Sequence, residues 1–202
     1  MSAVDASARI LHLAARRGLL TREEVARAGI HTHALSRMVR AGALERVGRG
    51  RYRLPDAPVT KDHGLALVAA ASPKAVICLL SALSFHEIGT QLPHQVWIAL
   101  GRGTRRPPLD YPPLRVVRFS GQALTAGTAS HRIEGEQVRI YNPAKTIADL
   151  FKYRHKIGLE LVLEALREGW RTRRFNMDEI QRYARICRVE RVMQPYLEAL
   201  VG

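Results

Sequence analysis

A chain of 202 residues with 47% apolar and 25% charged side chains has room for one or two folded domains and the composition of an ordinary globular protein. Its charge is not ordinary: 32 basic against 18 acidic residues leave +14, a balance that points to a polyanion, most often nucleic acid. Two cysteines, Cys78 and Cys187, each in an apolar run, exclude a disulfide scaffold or a zinc framework and read as small core residues.

The first segment, MSAVDASARILHLAARRG, carries Asp5 early and lacks the basic start and cleavage site of a signal peptide. Ile10, Leu11, Leu13 and Ala14 fall on one side of a helix over Ala3–Arg17, which Gly18 ends. TREE, opening on Thr21, is a capping box that starts a short helix reaching Ala28. After Gly29 a third helix begins at Thr32 or His33 and ends at Gly42. Leu35, Met38 and Val39 form its apolar stripe, with His33, Ser36, Arg37 and Arg40 opposite. Two strand patterns follow, residues 44–47 and 51–54, joined through Gly48-Arg49-Gly50. Tyr52 and Leu54 alternate there with Arg51 and Arg53, so one face packs and the other is cationic.

Helix, turn, helix and basic hairpin together predict a winged helix-turn-helix over residues 1–55. This segment holds eleven arginines against four acids, half the excess charge of the whole chain. The DNA-binding candidates are Thr32, His33, Ser36, Arg37, Arg40, Arg46, Arg49, Arg51 and Arg53. His33, Arg37 and Arg40 are placed for base edges, and Arg46, Arg49, Arg51 and Arg53 for phosphates or an adjacent minor groove.

Residues 55–58, PDAP, read as a linker, and residues 59–202 as a second, mixed α/β domain with a small sheet and a helical tail; the fold class is α+β. The most apolar run, from Leu65, is broken by Ser72-Pro73-Lys74 and reads as helix, turn, strand, helix rather than a membrane span. The pattern gives a helix over 61–71, a buried strand over 75–80, a helix capped by Ser81, and strands over 95–100, 114–119, 131–133 and 138–141. Asn142-Pro143 is a strong helix start, and helices over 144–154, 159–169, 177–188 and 190–200 complete the chain.

Nothing in the second domain assembles into chemistry. His63, His86, His94, His131 and His155 lack metal-ligand spacing, and His86-Glu87 lacks the second histidine of a zinc-protease helix. Asp149 faces inward with Thr146 and is expected to cap or to pair with an arginine. No carboxylate pair followed by Glu-x-Lys offers a nuclease its magnesium. The expectation is a cytoplasmic, non-enzymatic protein with no cofactor and no metal. The rival readings are a protein-interaction module that neutralises a toxin by direct binding, and a DNA-processing nuclease. Arg102, Arg105 and Arg106, the run 152–156 and the run 171–174 are basic; each alone reads as solvated surface, with an extension of the DNA footprint as the alternative.

Three stretches carry a resemblance. TREEVARAGIHTHALSRMVRAGALERVGRGRYRLP, ICLLSALSFHEIGTQLPHQVWIAL and RIYNPAKTIADLF, in this order and spacing, resemble the AbiEi family of antitoxin transcriptional regulators. That resemblance implies an antitoxin of an abortive-infection operon. Such a protein represses its own promoter by binding inverted repeats in double-stranded DNA, and is paired with a nucleotidyltransferase-like toxin. It also implies that residues 32–40 and 46–53 carry the DNA contact. Separately, one such module reads only a short site, so a monomer in solution or a dimer on DNA is expected, with two copies on an inverted repeat.

Overall fold

The computed structural model describes residues 3–57 and 60–201. Met1, Ser2, Val59 and Gly202, at the ends of the two expected domains, and Pro58 of the expected linker lie outside the described residues.

Helix α1, Ala3–Arg17, turns Ile10 and Ala14 inward and stops at Gly18, whose φ of +76° suits glycine. Strand β1, Leu20–Thr21, follows. Thr21 also caps α2, Arg22–Arg27, through the expected reciprocal pair. The Glu24 N–H donates to Thr21 Oγ1 at 3.2 Å, and the Thr21 N–H donates to Glu24 Oε2 at 2.9 Å. Then come α3, His33–Arg40, and strands β2, Glu45–Gly48, and β3, Arg51–Arg53. The three strands form an antiparallel sheet in the order β1-β3-β2. Ile10, Leu20, Val25, Leu35, Met38, Leu44 and Tyr52 make one core beneath them. Strand β1 escapes a pattern reading because two residues cannot show alternation; its pairing of Leu20 with Tyr52 defines it.

The rest of the chain runs α4, His63–Ala71; β4, Val76–Ile77; α5, Leu79–Phe85; β5, Val96–Gly101; β6, Leu114–Phe119; and α6, Gln122–Thr125. It continues with β7, Thr128–Ile133; β8, Glu136–Tyr141; α7, Pro143–Lys152; α8, Arg154–Ile157; α9, Leu159–Arg171; α10, Met177–Cys187; and α11, Glu190–Val201. Five strands form a mixed sheet in the order β6-β5-β4-β8-β7, parallel at β5/β6 and β4/β8 and antiparallel elsewhere. Alternation along β5 explains the layering: Val96, Ile98 and Leu100 meet α4 on one face, while Ala99 joins the core under α5, α7, α9, α10 and α11 on the other. The molecule is therefore α+β, with one antiparallel and one mixed sheet.

Two expectations need correction. The strand expected over 75–80 is only β4, because the chain leaves the sheet at Cys78 and Leu79 takes a left-handed φ of 49° to begin α5. Ser81 lies inside α5 rather than at its cap, and its Oγ instead accepts the Trp97 N–H at 2.9 Å, tying the helix to β5. Among the described residues no helix is long and apolar enough to cross a membrane.

Candidate nucleic-acid interface

Helix α3 is sharply two-sided. Ala34, Leu35 and Met38 are buried, whereas His33, Ser36, Arg37 and Arg40 are exposed. Thr32 precedes the helix, half-buried, and its side chain makes no cap hydrogen bond. Strand β2 and the β2–β3 turn stand beside α3 and present Arg46 and Arg49 to solvent. The Arg46 Nε donates to the Gly48 carbonyl at 3.2 Å, which holds the guanidinium along the turn. Seven of the nine candidates thus share the exterior of one small unit.

Arg51 and Arg53 do not share it. Tyr52 between them fills the core, so both project to the opposite face of the sheet. That face is not open. The Arg53 Nε donates to Glu45 Oε2 at 2.8 Å, and the residue lines a cavity of about 750 Å³ together with Glu134 and Gly135 of the β7–β8 turn. The Arg51 Nη1 donates to the Arg49 carbonyl at 3.3 Å, and its Nε is buried without a partner. Burial pushes the Glu136 carboxyl above its ordinary value, and the charges of Arg51 and Arg17 work against that rise. Strand alternation correctly separates the two faces; it does not reveal that the cationic face meets another part of the chain.

Arg22, absent from the sequence-derived set, joins the exterior group. It is the first residue of α2, exposed, and its N–H donates to the Gly50 carbonyl at 2.9 Å, tying α2 to the β2–β3 turn. Arg22, Ser36, Arg46 and Arg49 line one cleft of about 570 Å³, with Glu23 as its acidic member.

The cationic unit is fixed to the sheet behind it. The Leu19 N–H donates to the Glu134 carbonyl at 3.3 Å. A β-carbon on Gly135 would sit 2.0 Å from the Arg17 carbonyl oxygen, so only glycine fits that approach. The Glu134 carboxylate accepts from Thr60 N at 3.1 Å, Thr60 Oγ1 at 2.9 Å and His63 Nδ1 at 2.6 Å.

Elsewhere the expected inward Asp149 is confirmed, but its partner is Lys145, not an arginine. The Lys145 Nζ donates to Asp149 Oδ2 at 2.5 Å with both side chains sealed from solvent. The His86 Nε2 donates to the Tyr141 carbonyl at 2.7 Å, and burial lowers its pKa. Among the described residues no group of three or more His, Cys, Asp or Glu side chains could hold a metal.

A small three-helix unit with an outward, arginine-rich third helix is the kind of element regulators of transcription use. Residues 8–55 match the family described as transcriptional regulator, AbiEi antitoxin. The matched residues include α2, α3 and both strands of the β2–β3 hairpin; the two other stretches of the resemblance lie beyond them. No curated protein matches the sequence. Among solved structures, the crystal structure of the RV2827C protein from Mycobacterium tuberculosis is similar, with a TM-score of 0.62 at 16% identity. The similarity covers 89% of this chain and 71% of that one, and it speaks to fold alone.

Proposed function

We propose that this chain is a sequence-specific, double-stranded DNA-binding repressor of the antitoxin type. Its reading head is a winged helix-turn-helix spanning residues 1–55, and residues 59–202 form the second domain. In this reading α3 enters the major groove with His33, Arg37 and Arg40 at base edges and Thr32 and Ser36 beside them. Arg22, Arg46 and Arg49 grip phosphates on either side. Arg51 and Arg53 have a different role, holding the sheet and its junction. Repression follows from occupying inverted repeats in the protein's own promoter and blocking polymerase, with no chemical step. The adjacent partner would be a nucleotidyltransferase-like toxin.

The observation that carries the proposal is the concentration of outward arginines on α3, β2 and the neighbouring turn, none of them in an ion pair among the described residues, within the residues that match the regulator family. The test is a gel shift with the protein's own upstream DNA against random DNA of equal length, across a salt series. The upstream fragment should stay bound at physiological salt and be released by Arg37→Ala/Arg40→Ala. Lost bidentate base contacts are worth about 1–3 kcal/mol each. Equal and equally salt-sensitive affinity for both DNAs would remove the operator claim.

A further inference from the structure

A second cationic surface lies far along the chain from α3. Helix α9 closes in a tight turn. There the N–H groups of Thr172, Arg173 and Arg174 donate back to the carbonyls of Glu168, Trp170 and Gly169 at 2.8, 3.0 and 2.9 Å. Arg173 sits at φ +54°, a left-handed conformation that side chains other than Asn or Gly rarely take. Phe175 is buried so tightly against Gly169 that a β-carbon there would lie 2.6 Å from Phe175 Cε1. Its ring stands 6.4 Å from that of the half-buried Trp170, tilted by 44°. The turn is thus pinned from below, and it holds Arg171, Arg173 and Arg174 exposed around a cleft of about 580 Å³ that the indole lines.

Among the described residues none of the three forms an ion pair, although Arg174 lies within electrostatic reach of Glu87. Glu179 also lines the cleft, but its carboxylate is engaged at the start of α10, where the Asn176 N–H donates to it at 3.1 Å. Glu168 accepts the Gly89 N–H at 2.6 Å and, with Glu160 and Glu164, lines the neighbouring cleft on the other side of Arg171.

We propose that this cleft binds an unpaired nucleotide of single-stranded nucleic acid, with the base stacked on Trp170 and the phosphates held by Arg171, Arg173 and Arg174. Guanidinium forks match phosphate oxygens, and an aromatic face beside them accepts any base. An acidic peptide would satisfy the arginines but leave the indole unused, and a regular duplex keeps its bases stacked on one another. The site is independent of α3, so it stands or falls apart from the promoter reading.

The experiment uses the full chain carrying Trp97→Phe, which leaves Trp170 as the only tryptophan. Tryptophan emission and the anisotropy of an end-labelled oligonucleotide are followed while short single-stranded RNA, single-stranded DNA and a poly-glutamate peptide are titrated separately. The expected result is quenching by single strands. Their affinity should fall about tenfold in Trp170→Ala, be largely kept in Trp170→Phe, and fall again in Arg171→Glu/Arg174→Glu, with binding of upstream duplex unchanged. Circular dichroism of each variant confirms folding, and the arginine pair, on the surface, provides the readout should Trp170→Ala unfold. Tighter binding of RNA than of DNA would assign the ligand to RNA, and equal binding to either strand. Absence of quenching by both strands, single-strand affinity unmoved by either the tryptophan or the arginine variants, or quenching by poly-glutamate alone would overturn the proposal; the last would make this a surface for an acidic protein.

Discussion

The side chains of Lys145 and Asp149 are both sealed from solvent. Their mutual hydrogen bond is supplemented by the faces of Tyr141 and Phe119, 4.1 and 4.9 Å from the ammonium, and by the Cys187 thiol, which donates to Asp149 Oδ1 at 3.2 Å. Burial pushes the Asp149 carboxyl up, and Lys145 and Cys187 oppose that rise. Lys145→Met would leave the carboxylate uncompensated and should cost about 3–5 kcal/mol in denaturant unfolding, while Lys145→Met/Asp149→Leu recovers much of the loss. The same burial pushes the Cys187 thiol up to about 12 and raises Cys78. A thiol reagent at mildly alkaline pH should therefore label neither cysteine until denaturant is added. The i, i+4 spacing of Lys145 and Asp149 was visible in the sequence. What hid the pair is that lysine is seldom fully buried, so the helix face gave no reason to turn it inward.

At the scale of elements, legibility followed local chemistry. The capping box at Thr21, the apolar stripe of α3, the alternation in β5 and the Asn142-Pro143 start are each dictated by neighbours a few residues away, and each appears as read. Elements defined by distant partners were not legible. A continuous apolar run has no period, so the passage from β4 into α5 could not be located within 75–80. Arg53 shares a cavity with Glu134 and Gly135 of the β7–β8 turn, and Arg51 acts on Glu136 of β8, each some eighty residues on. Thr21→Ala should cost about 1 kcal/mol in thermal unfolding by uncapping α2. Arg22→Ala, leaving the cap intact, should weaken duplex binding to all sequences alike and lower the slope of log K against log salt by about 1.

Across the whole molecule the decisive feature is the junction. Leu19 packs with Leu67 and Ala70 of α4, and Glu134 gathers Thr60, His63 and the Leu19 N–H around one residue. Burial alone would raise the Glu134 carboxyl, but the bonds from His63 and Thr60 outweigh it and hold the group below its ordinary value. A depressed carboxylate stabilises the fold above the ordinary carboxylate range, and that contribution is lost as pH falls through its folded value. Melting temperature should therefore separate wild type from Glu134→Gln near neutral pH and converge in acid. Glycine alone fits where Gly135 meets Arg17, so the first sheet's unit packs closely on the β7–β8 turn, and under the proposed function that contact ties the reading head to the sheet behind it. Two copies set on an inverted repeat would then register the rotational phase of the double helix. Moving the half-sites apart by half a turn should abolish joint occupancy, and a full turn of about 10 base pairs should restore it, as gears mesh again one tooth further on.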